Sequence, residues 1–112
     1  MKFYHVTHKK NLKNTLKYGL RRHNKRYDPG IMKPFTIKAV YVTNKNGLKS
    51  IVHFWKKNED ICIIELEHIE KLLSGPFTFV SGKYRGKYVE RKEWLSLYED
   101  ISPQYIVDSY CL

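Results

Sequence analysis

The first residues of the chain alternate between the two faces of a predicted β-strand. Within residues 2 to 7, one face carries Phe3, His5 and Thr7 and the other carries Tyr4 and Val6. This two-residue period is that of an extended strand whose faces meet different surroundings. A histidine in such a strand has two interpretations: it satisfies a backbone carbonyl at a strand edge, or it belongs to a site.

A short cationic helix is predicted directly after this strand. Thr7 is suited to cap it, and residues 8 to 18 carry Leu12 and Leu16 at the spacing of one buried stripe. Gly19 is expected to end the helix, because glycine adopts the left-handed conformation common at helix C-termini. The lysines of this segment are expected on its solvent side.

A loop and a second strand are predicted next. Residues 21 to 36 contain Asp28-Pro29-Gly30 and Pro34, which are typical of a basic loop. A strand is predicted at residues 38 to 43. Within it Tyr41 lies between two valines, where an aromatic residue is either a half-buried core residue or part of a site.

A second helix is predicted at residues 48 to 57, after a turn. Its apolar positions recur at helical spacing and are Leu48, Ile51, Val52 and Trp55. Ser50 and His53 lie on the opposite side of this stripe. We therefore expect both side chains to be available to a ligand or to water.

The remaining segments complete a mixed pattern of strands and helices. Residues 61 to 66 are apolar on both faces, which predicts a central strand. A short helix is expected at Ile69, Leu72 and Leu73, before Ser74-Gly75-Pro76. Further strand segments are predicted at 77–80, 87–98 and 105–110, with a turn at Gly82. Without a regular alternation of strands and helices, the pattern predicts one α+β domain over residues 1–112.

The charge of the chain is strongly positive. Lys and Arg number 21 and Asp and Glu 11, so the formal charge is +10. Such an excess favours polyanionic partners, although surface lysines also serve solubility. No acid precedes Asp28, whereas nine cations do: Lys2, Lys9, Lys10, Lys13, Lys17, Arg21, Arg22, Lys25 and Arg26.

Two cysteines, Cys62 and Cys111, lack the spacing of a zinc site, so no metal is expected. Their pairing stays possible, but a reduced protein with a buried Cys62 is the simpler interpretation. The N-terminus lacks the apolar stretch of a secretory signal, and no segment approaches the roughly 20 apolar residues of a membrane span. We therefore expect a monomeric cytoplasmic protein.

Two glutamates compete as the acid of a site. On an extended segment 88–98, Glu93 shares a face with Val89, Leu95 and Leu97, whereas Glu90 lies on the opposite face. A carboxylate on an aliphatic face costs desolvation free energy unless a function requires it there. A strand-end Glu93 that reaches solvent is an equally good interpretation, and a bulge would exchange the two faces.

These segments together resemble the ADP-ribosyltransferases of the diphtheria-toxin and poly(ADP-ribose) polymerase type. Members of that family carry a His, a Tyr and a Glu on three separate strands. Similar contexts here are Phe3-Tyr4-His5-Val6-Thr7 with Gly19-Leu20, then Val40-Tyr41-Val42-Thr43, and finally Glu93-Trp94-Leu95-Ser96-Leu97 with Ile101 to Ile106. The resemblance implies a split mixed β-sheet core with two or three short helices.

The resemblance also implies roles in binding and cleaving NAD as a co-substrate. His5 would hydrogen-bond the adenosine ribose, the backbone of Val6 would hold the nicotinamide amide, and Thr7 would replace a serine of the family. Tyr41 would stack on the nicotinamide ring, with Ser50 and His53 on the helix beside it. Glu93, or its rival Glu90, would bind the nicotinamide ribose and stabilise positive charge as the glycosidic bond breaks.

The acceptor of ADP-ribose is expected from charge to be nucleic acid, with a protein nearly as plausible. Cations and aromatic residues alternate from Lys83 to Tyr88, an arrangement that grips phosphates and stacks on bases, although a solvated hairpin is an equally good interpretation. Hydrolysis of NAD as a toxic or counter-defence activity needs the same site. The non-enzymatic alternative is a basic nucleic-acid-binding module on a degenerate transferase fold. Under either interpretation, the residues expected to contact nucleic acid are Arg21, Arg22, Lys25, Arg26, Lys83, Arg85 and Lys87.

Overall fold

The computed structural model describes residues 1–27, 35–55 and 60–112. The strands are β1 (Phe3–His8), β2 (His23–Tyr27), β3 (Phe35–Thr43), β4 (Ile61–Leu66), β5 (Ser74–Tyr84), β6 (Lys87–Ser96) and β7 (Ile106–Cys111). The α-helices are α1 (Leu12–Tyr18) and α2 (Lys45–Trp55). Short 3₁₀ turns occupy Lys9–Asn11, Glu70–Leu72 and Pro103–Tyr105.

The strands form one sheet in the order β5-β6-β3-β1-β4-β7, and β2 pairs with β3 beside this path. Every pairing between the named strands is antiparallel, so the expectation of a mixed sheet is wrong in the described part of the chain. The α+β class is confirmed, since the described residues form two α-helices and a mainly antiparallel sheet.

The sheet opens between β1 and β3. In the described residues these strands share one register pair, Tyr4 with Thr43, whereas β1 pairs with β4 over its whole length. The first half of β3 pairs with β2 and its second half with β6. A cleft therefore forms in the sheet where β1 and β3 stop pairing.

The helix α1 lies where the sequence predicts one, preceded by a 3₁₀ turn. Gly19 follows it with φ +85°, as expected for a glycine at a helix end. Leu12 packs on the main core, but Leu16 is 40 % exposed, so its assignment to the buried stripe is wrong. No helix in the described ranges is long and apolar enough to cross a membrane.

The helix α2 begins three residues earlier than predicted, at Lys45. Leu48 and Ile51 are buried, as expected from the apolar stripe, and the side chain of Trp55 lies outside the described part. Gly47 lies against β3, where a Cβ atom would collide with the Thr43 hydroxyl. The close approach of this helix to the sheet therefore requires glycine.

The structure differs from the sequence prediction at the basic loop 21–36 and at the turn predicted at Gly82. Part of the basic loop 21–36 is the strand β2, whereas Asp28-Pro29-Gly30 and Pro34 lie outside the described residues. The hairpin turn between β5 and β6 is at Arg85 and Gly86, both with positive φ, and not at Gly82. This conformation matches the right-handed twist of a two-residue hairpin.

The strand β4 is buried along its length, as its apolar faces predict. Cys62 is buried, but it forms a disulfide with Cys111, so the expectation of a reduced Cys62 is wrong. The cause is the register of β7, which places the two cysteines directly opposite each other. The main core lies beside this strand and contains Phe3, Leu20, Val40, Val42, Ile64, Leu66, Ile69 and Ile101.

Candidate active site

A cleft of about 690 Å³ follows the opening between β1 and β3. Volumes of this size are typical of small-ligand sites. The three residues of the predicted triad, His5, Tyr41 and Glu93, all line it, and so do Val6 and Thr7. Other lining side chains include Asn14, Thr15, Tyr18, Arg21, His23, Lys25, Thr43 and Ile51.

His5 lines the cleft and is partly buried, and its Nδ1 is 2.7 Å from the carbonyl oxygen of Tyr41. Burial lowers the pKa of His5 to about 4; the hydrogen bond to Tyr41 opposes this shift, and His23 and Lys25 reinforce it. The ring is therefore neutral at pH 7. Because a carbonyl only accepts hydrogen bonds, Nδ1 carries the proton and Nε2 is the acceptor nitrogen.

Tyr41 is 4 % exposed and lies in the second half of β3, the part that pairs with β6. Its hydroxyl donates to the carbonyl of Ile37, and its ring lies 5.4 Å from that of His23. The Lys25 ammonium lies over the Tyr41 ring, 5.1 Å from its centroid. The ring is thus held in place by its hydroxyl and provides a surface that attracts a cation.

Glu93 and Glu90 occupy different environments. Glu93 is 2 % exposed and pairs with Thr43 of β3 on one side and Phe77 of β5 on the other. Glu90 is exposed. The extra residues of the bulges between β5 and β6 lie on β5, so β6 alternates without interruption. Only Glu93 of the two rivals therefore lines the cleft.

Two cations flank the buried carboxylate of Glu93. Lys25 Nζ lies 3.9 Å and Arg91 Nε 3.5 Å from Glu93 Oε1. Burial lowers the pKa of Lys25, the charge of Glu93 opposes this shift, and Arg91 reinforces it. Two positive charges this close to a buried carboxylate offset part of its desolvation cost.

Ser50 and His53 do not line the cleft. Ser50 donates to the carbonyl of Gly47 and lies 2.7 Å from the hydroxyl of Ser81. His53 is exposed and contacts the rings of Phe54 and Tyr84. Among the described side chains of α2, Ile51 lines the cleft, whereas Ser50 and His53 contact residues of β5.

The basic residues between positions 21 and 26, predicted to contact nucleic acid, do not share one environment in the described structure. Arg21 lines the cleft, and Lys25 lies inside it rather than on an exposed loop. Arg22 donates to the carbonyl of Leu97 at 3.0 Å and pairs with Asp100. It therefore connects the segment before β2 to the segment after β6. The side chain of Arg26 lies outside the described part of the structure.

The tip of the β5–β6 hairpin exposes both of its tyrosines. Lys83 lies 5.0 Å from the ring centroid of Tyr88, and the Arg85 guanidinium lies 5.3 Å from that of Tyr84. Lys87 is exposed beside them. These side chains form an exposed basic and aromatic surface, called here the hairpin tip, that does not line the cleft.

Four residues of the site are missing from the sequence prediction or misplaced in it: Lys25, His23, Arg91 and Ser81. The alternation of His23 and Lys25 along β2 is the signal for the first two, but the segment has too few apolar residues to predict a strand. The signal for Arg91 is the alternation along β6, which places it two residues before Glu93 and on the same face of the strand. The sequence contains no signal for Ser81.

The cleft combines a buried carboxylate, an acceptor imidazole nitrogen and an aromatic face that attracts cations. These groups suit a ligand with hydroxyl groups and a planar cationic ring. No family model, no curated protein and no solved structure matches this chain.

Proposed function

We propose that this protein is an NAD-dependent ADP-ribosyltransferase that cleaves the bond between nicotinamide and ribose. The observation that carries the proposal is one cleft lined by His5, Tyr41 and the buried Glu93, each from a different strand. The chain resembles the His-Tyr-Glu transferases in the order of these residues. The burial of Glu93 between two cations adds a physical reason to expect chemistry there.

The reaction fits the charges of the cleft. The N-glycosidic bond breaks with both electrons going to the nicotinamide nitrogen, which neutralises the ring and leaves positive charge on the ribose. A fixed carboxylate stabilises that charge, and electrostatic stabilisation of this kind is a major part of many rate enhancements. An acceptor nucleophile then bonds to the ribose carbon and loses its proton.

The remaining groups suit the two ends of NAD. The neutral His5 has Nε2 as an acceptor, which matches a ribose hydroxyl as donor. The face of Tyr41 holds the Lys25 cation in the described structure, and the nicotinamide ring of NAD is also a cation. Lys25 is 29 % exposed, which leaves its ammonium room to pair with the diphosphate of the same ligand.

Nucleic acid is the acceptor that the charge favours, with protein as the other candidate. The formal charge of +10 attracts polyanions at long range. Arg21 and the exposed Tyr18 stand in the lining of the cleft, where an acceptor strand would approach.

The test compares Glu93→Gln with Glu90→Gln, two substitutions of the same type on opposite faces of β6. We expect Glu93→Gln to lower NAD consumption by about 10²- to 10³-fold, and Glu90→Gln to leave it within a factor of two. Release of nicotinamide is measured with single-stranded DNA, RNA, protein and no acceptor. NAD left intact by the wild type under all four conditions would contradict the proposal, and release without a labelled acceptor would indicate hydrolysis.

The second candidate is nucleic-acid binding without catalysis, and the hairpin tip favours it. Its tyrosines are 51 % and 68 % exposed, each with a cation over the ring. Exposed aromatic rings between cations stack on unpaired bases and contact phosphates. A nucleic-acid complex that forms normally in Glu93→Gln, together with inert NAD, would favour this function.

A further inference from the structure

Arg91 is a buried guanidinium whose surroundings hold it beside Glu93. Its side chain is 9 % exposed, and its Nε is 3.5 Å from Glu93 Oε1. This Nε is buried and has no hydrogen-bond partner in the described part of the chain. A buried donor without an acceptor is rare and calls for an explanation.

A directed chain of hydrogen bonds connects Arg91 to α2. Ser50 donates to the Gly47 carbonyl at 3.0 Å, so its oxygen accepts from Ser81, 2.7 Å away. Ser81 has then used its one proton and accepts from Arg91 Nη1 at 3.1 Å. Because each hydroxyl has a single proton, the direction of the chain is determined by the carbonyl at its end.

Two glycines bring the members of this chain together. A Cβ atom on Gly47 would collide with Thr43, and one on Gly82 would collide with the ring of Phe54 on α2. Both positions thus let α2 approach β3 and β5 closely enough for Ser50 to reach Ser81. The backbone of the helix is in this way connected through three side chains to the carboxylate.

We propose that Arg91 is a positioning residue that holds the Glu93 carboxylate in its productive orientation, and that Ser81 and Ser50 hold Arg91. The role of Glu93 rests on the proposed function, whereas the positioning itself is a property of the fold. Arg91 does not line the cleft and acts through Glu93. In this proposal, Arg91 Nε moves slightly when the site is occupied and turns its ion pair with Glu93 into a hydrogen bond.

The two cations beside Glu93 therefore have different tasks. Lys25 lines the cleft and is more exposed than Arg91, so a bound ligand can displace its ammonium. Arg91 is held by Ser81 and lies 6.0 Å from the ring centroid of Phe79. We expect the fixed Arg91 to keep the orientation of the carboxylate when a ligand displaces Lys25.

The kinetic test uses Arg91→Gln, Arg91→Lys and Ser81→Ala, with Lys92→Gln as the matched control. Lys92 lies on the same strand, and its ammonium donates to Thr78 on the other face of the sheet. Lys92→Gln therefore removes one positive charge and leaves the hydrogen bonds from Arg91 to Ser50 intact. We expect kcat for NAD cleavage to fall about 100-fold in Arg91→Gln and about 10-fold in the other two test variants, as small misplacements do. The KM for NAD of the three test variants should change less than twofold, and so should both kcat and KM of Lys92→Gln. An Arg91→Gln kcat above half of the wild-type value would refute the proposal.

A second measurement is independent of NAD turnover. In ¹H–¹⁵N spectra of the arginine Nε groups, we expect the Arg91 proton to exchange slowly with water in the wild type. Ser81→Ala and Glu93→Gln should each speed this exchange at least fivefold, and Lys92→Gln should not. An exchange rate unchanged by both test variants would refute the positioning role. Inert NAD combined with the expected exchange rates would instead reject only the proposed activity.

Discussion

A carboxylate inside a sheet requires compensation for its lost hydration, and Glu93 has it in two cations. Removing one partner of a buried pair costs about 3 to 5 kcal/mol because a charge is left uncompensated. Both cations lie on the Oε1 side of the carboxylate, and one of them lines the cleft. At the residue scale, the site thus depends on two cations that compensate one buried carboxylate.

The pH dependence of stability tests the environment of His5. The pKa of His5 in the folded chain, about 4, lies below the ordinary value of 6.5. Between these two pH values the imidazole is therefore protonated in the unfolded chain and neutral in the folded chain. The free energy of unfolding therefore falls as the pH drops from 6.5 towards 4. We expect this loss between pH 7.5 and 4.5 to be roughly 2 kcal/mol larger in the wild type than in His5→Gln.

Urea unfolding at the two pH values measures this difference. The carboxylates titrate in both proteins, so their contribution cancels in the comparison. Equal losses in the wild type and in His5→Gln would show that the imidazole is not held neutral by burial.

At the scale of elements, the contact between α2 and the sheet decides where the side chains of the helix lie. Its buried residues Leu48 and Ile51 face β1 and the cleft, and Ser50 faces β5. Gly47 permits this contact because the helix passes directly over Thr43. The hydroxyl of Thr43 meanwhile donates to the carbonyl of Lys92 at 2.7 Å, which connects β3 to β6.

Gly47→Ala should destabilise the fold although alanine is the better helix former. Replacing glycine by alanine in a helix gains about 1 kcal/mol of propensity, but crowding a packed contact costs about 1 to 3 kcal/mol. Because the added Cβ atom would overlap the Thr43 hydroxyl, we expect a crowding cost of about 2 to 3 kcal/mol and hence a net loss of about 1 to 2 kcal/mol in the free energy of unfolding. Asn46→Ala, on the exposed neighbouring position, is the control and should lie within about 0.5 kcal/mol of the wild type. A Gly47→Ala variant as stable as the control would contradict the close packing.

At the scale of the molecule, the +10 charge is spread over more than one surface. Lys9, Lys10 and Lys13 are exposed around α1, and Lys83, Arg85 and Lys87 are exposed at the hairpin tip. Long-range attraction depends on the total, whereas phosphate contacts depend on position. Charge alone therefore does not choose between the two surfaces.

The salt dependence of binding to a single-stranded oligonucleotide distinguishes the surface around α1 from the hairpin tip. Changing Lys83, Arg85 and Lys87 to Gln should make the slope of log affinity against log salt less steep by roughly 2, the value for three lost phosphate contacts. The same change at Lys9, Lys10 and Lys13 is the matched control and should alter the slope by less than half as much. Equal effects of the two triple variants would show that the hairpin tip is not a specific contact.

Much of the architecture was predictable because its signals are local. Alternation predicts β1, two-sided apolarity predicts β4, and Gly19 predicts the end of α1. The strand β2 was not predictable, since His-Asn-Lys-Arg-Tyr has no apolar face and forms a strand by pairing with β3. The sequence left the pairing of the two cysteines open and favoured a reduced Cys62, because only the register of β7 brings Cys111 opposite Cys62.

The sequence by itself determined the α+β class and the order of His5, Tyr41 and Glu93 along the chain. These depend on periods of two residues or on helical spacing, which act within one segment. Only the tertiary structure decided that β1 and β3 stop pairing to form a cleft, that Lys25 and Arg91 flank Glu93, and that Ser50 turns away from the cleft toward Ser81. Such contacts join residues far apart in the chain, and their register depends on the packing of the whole sheet.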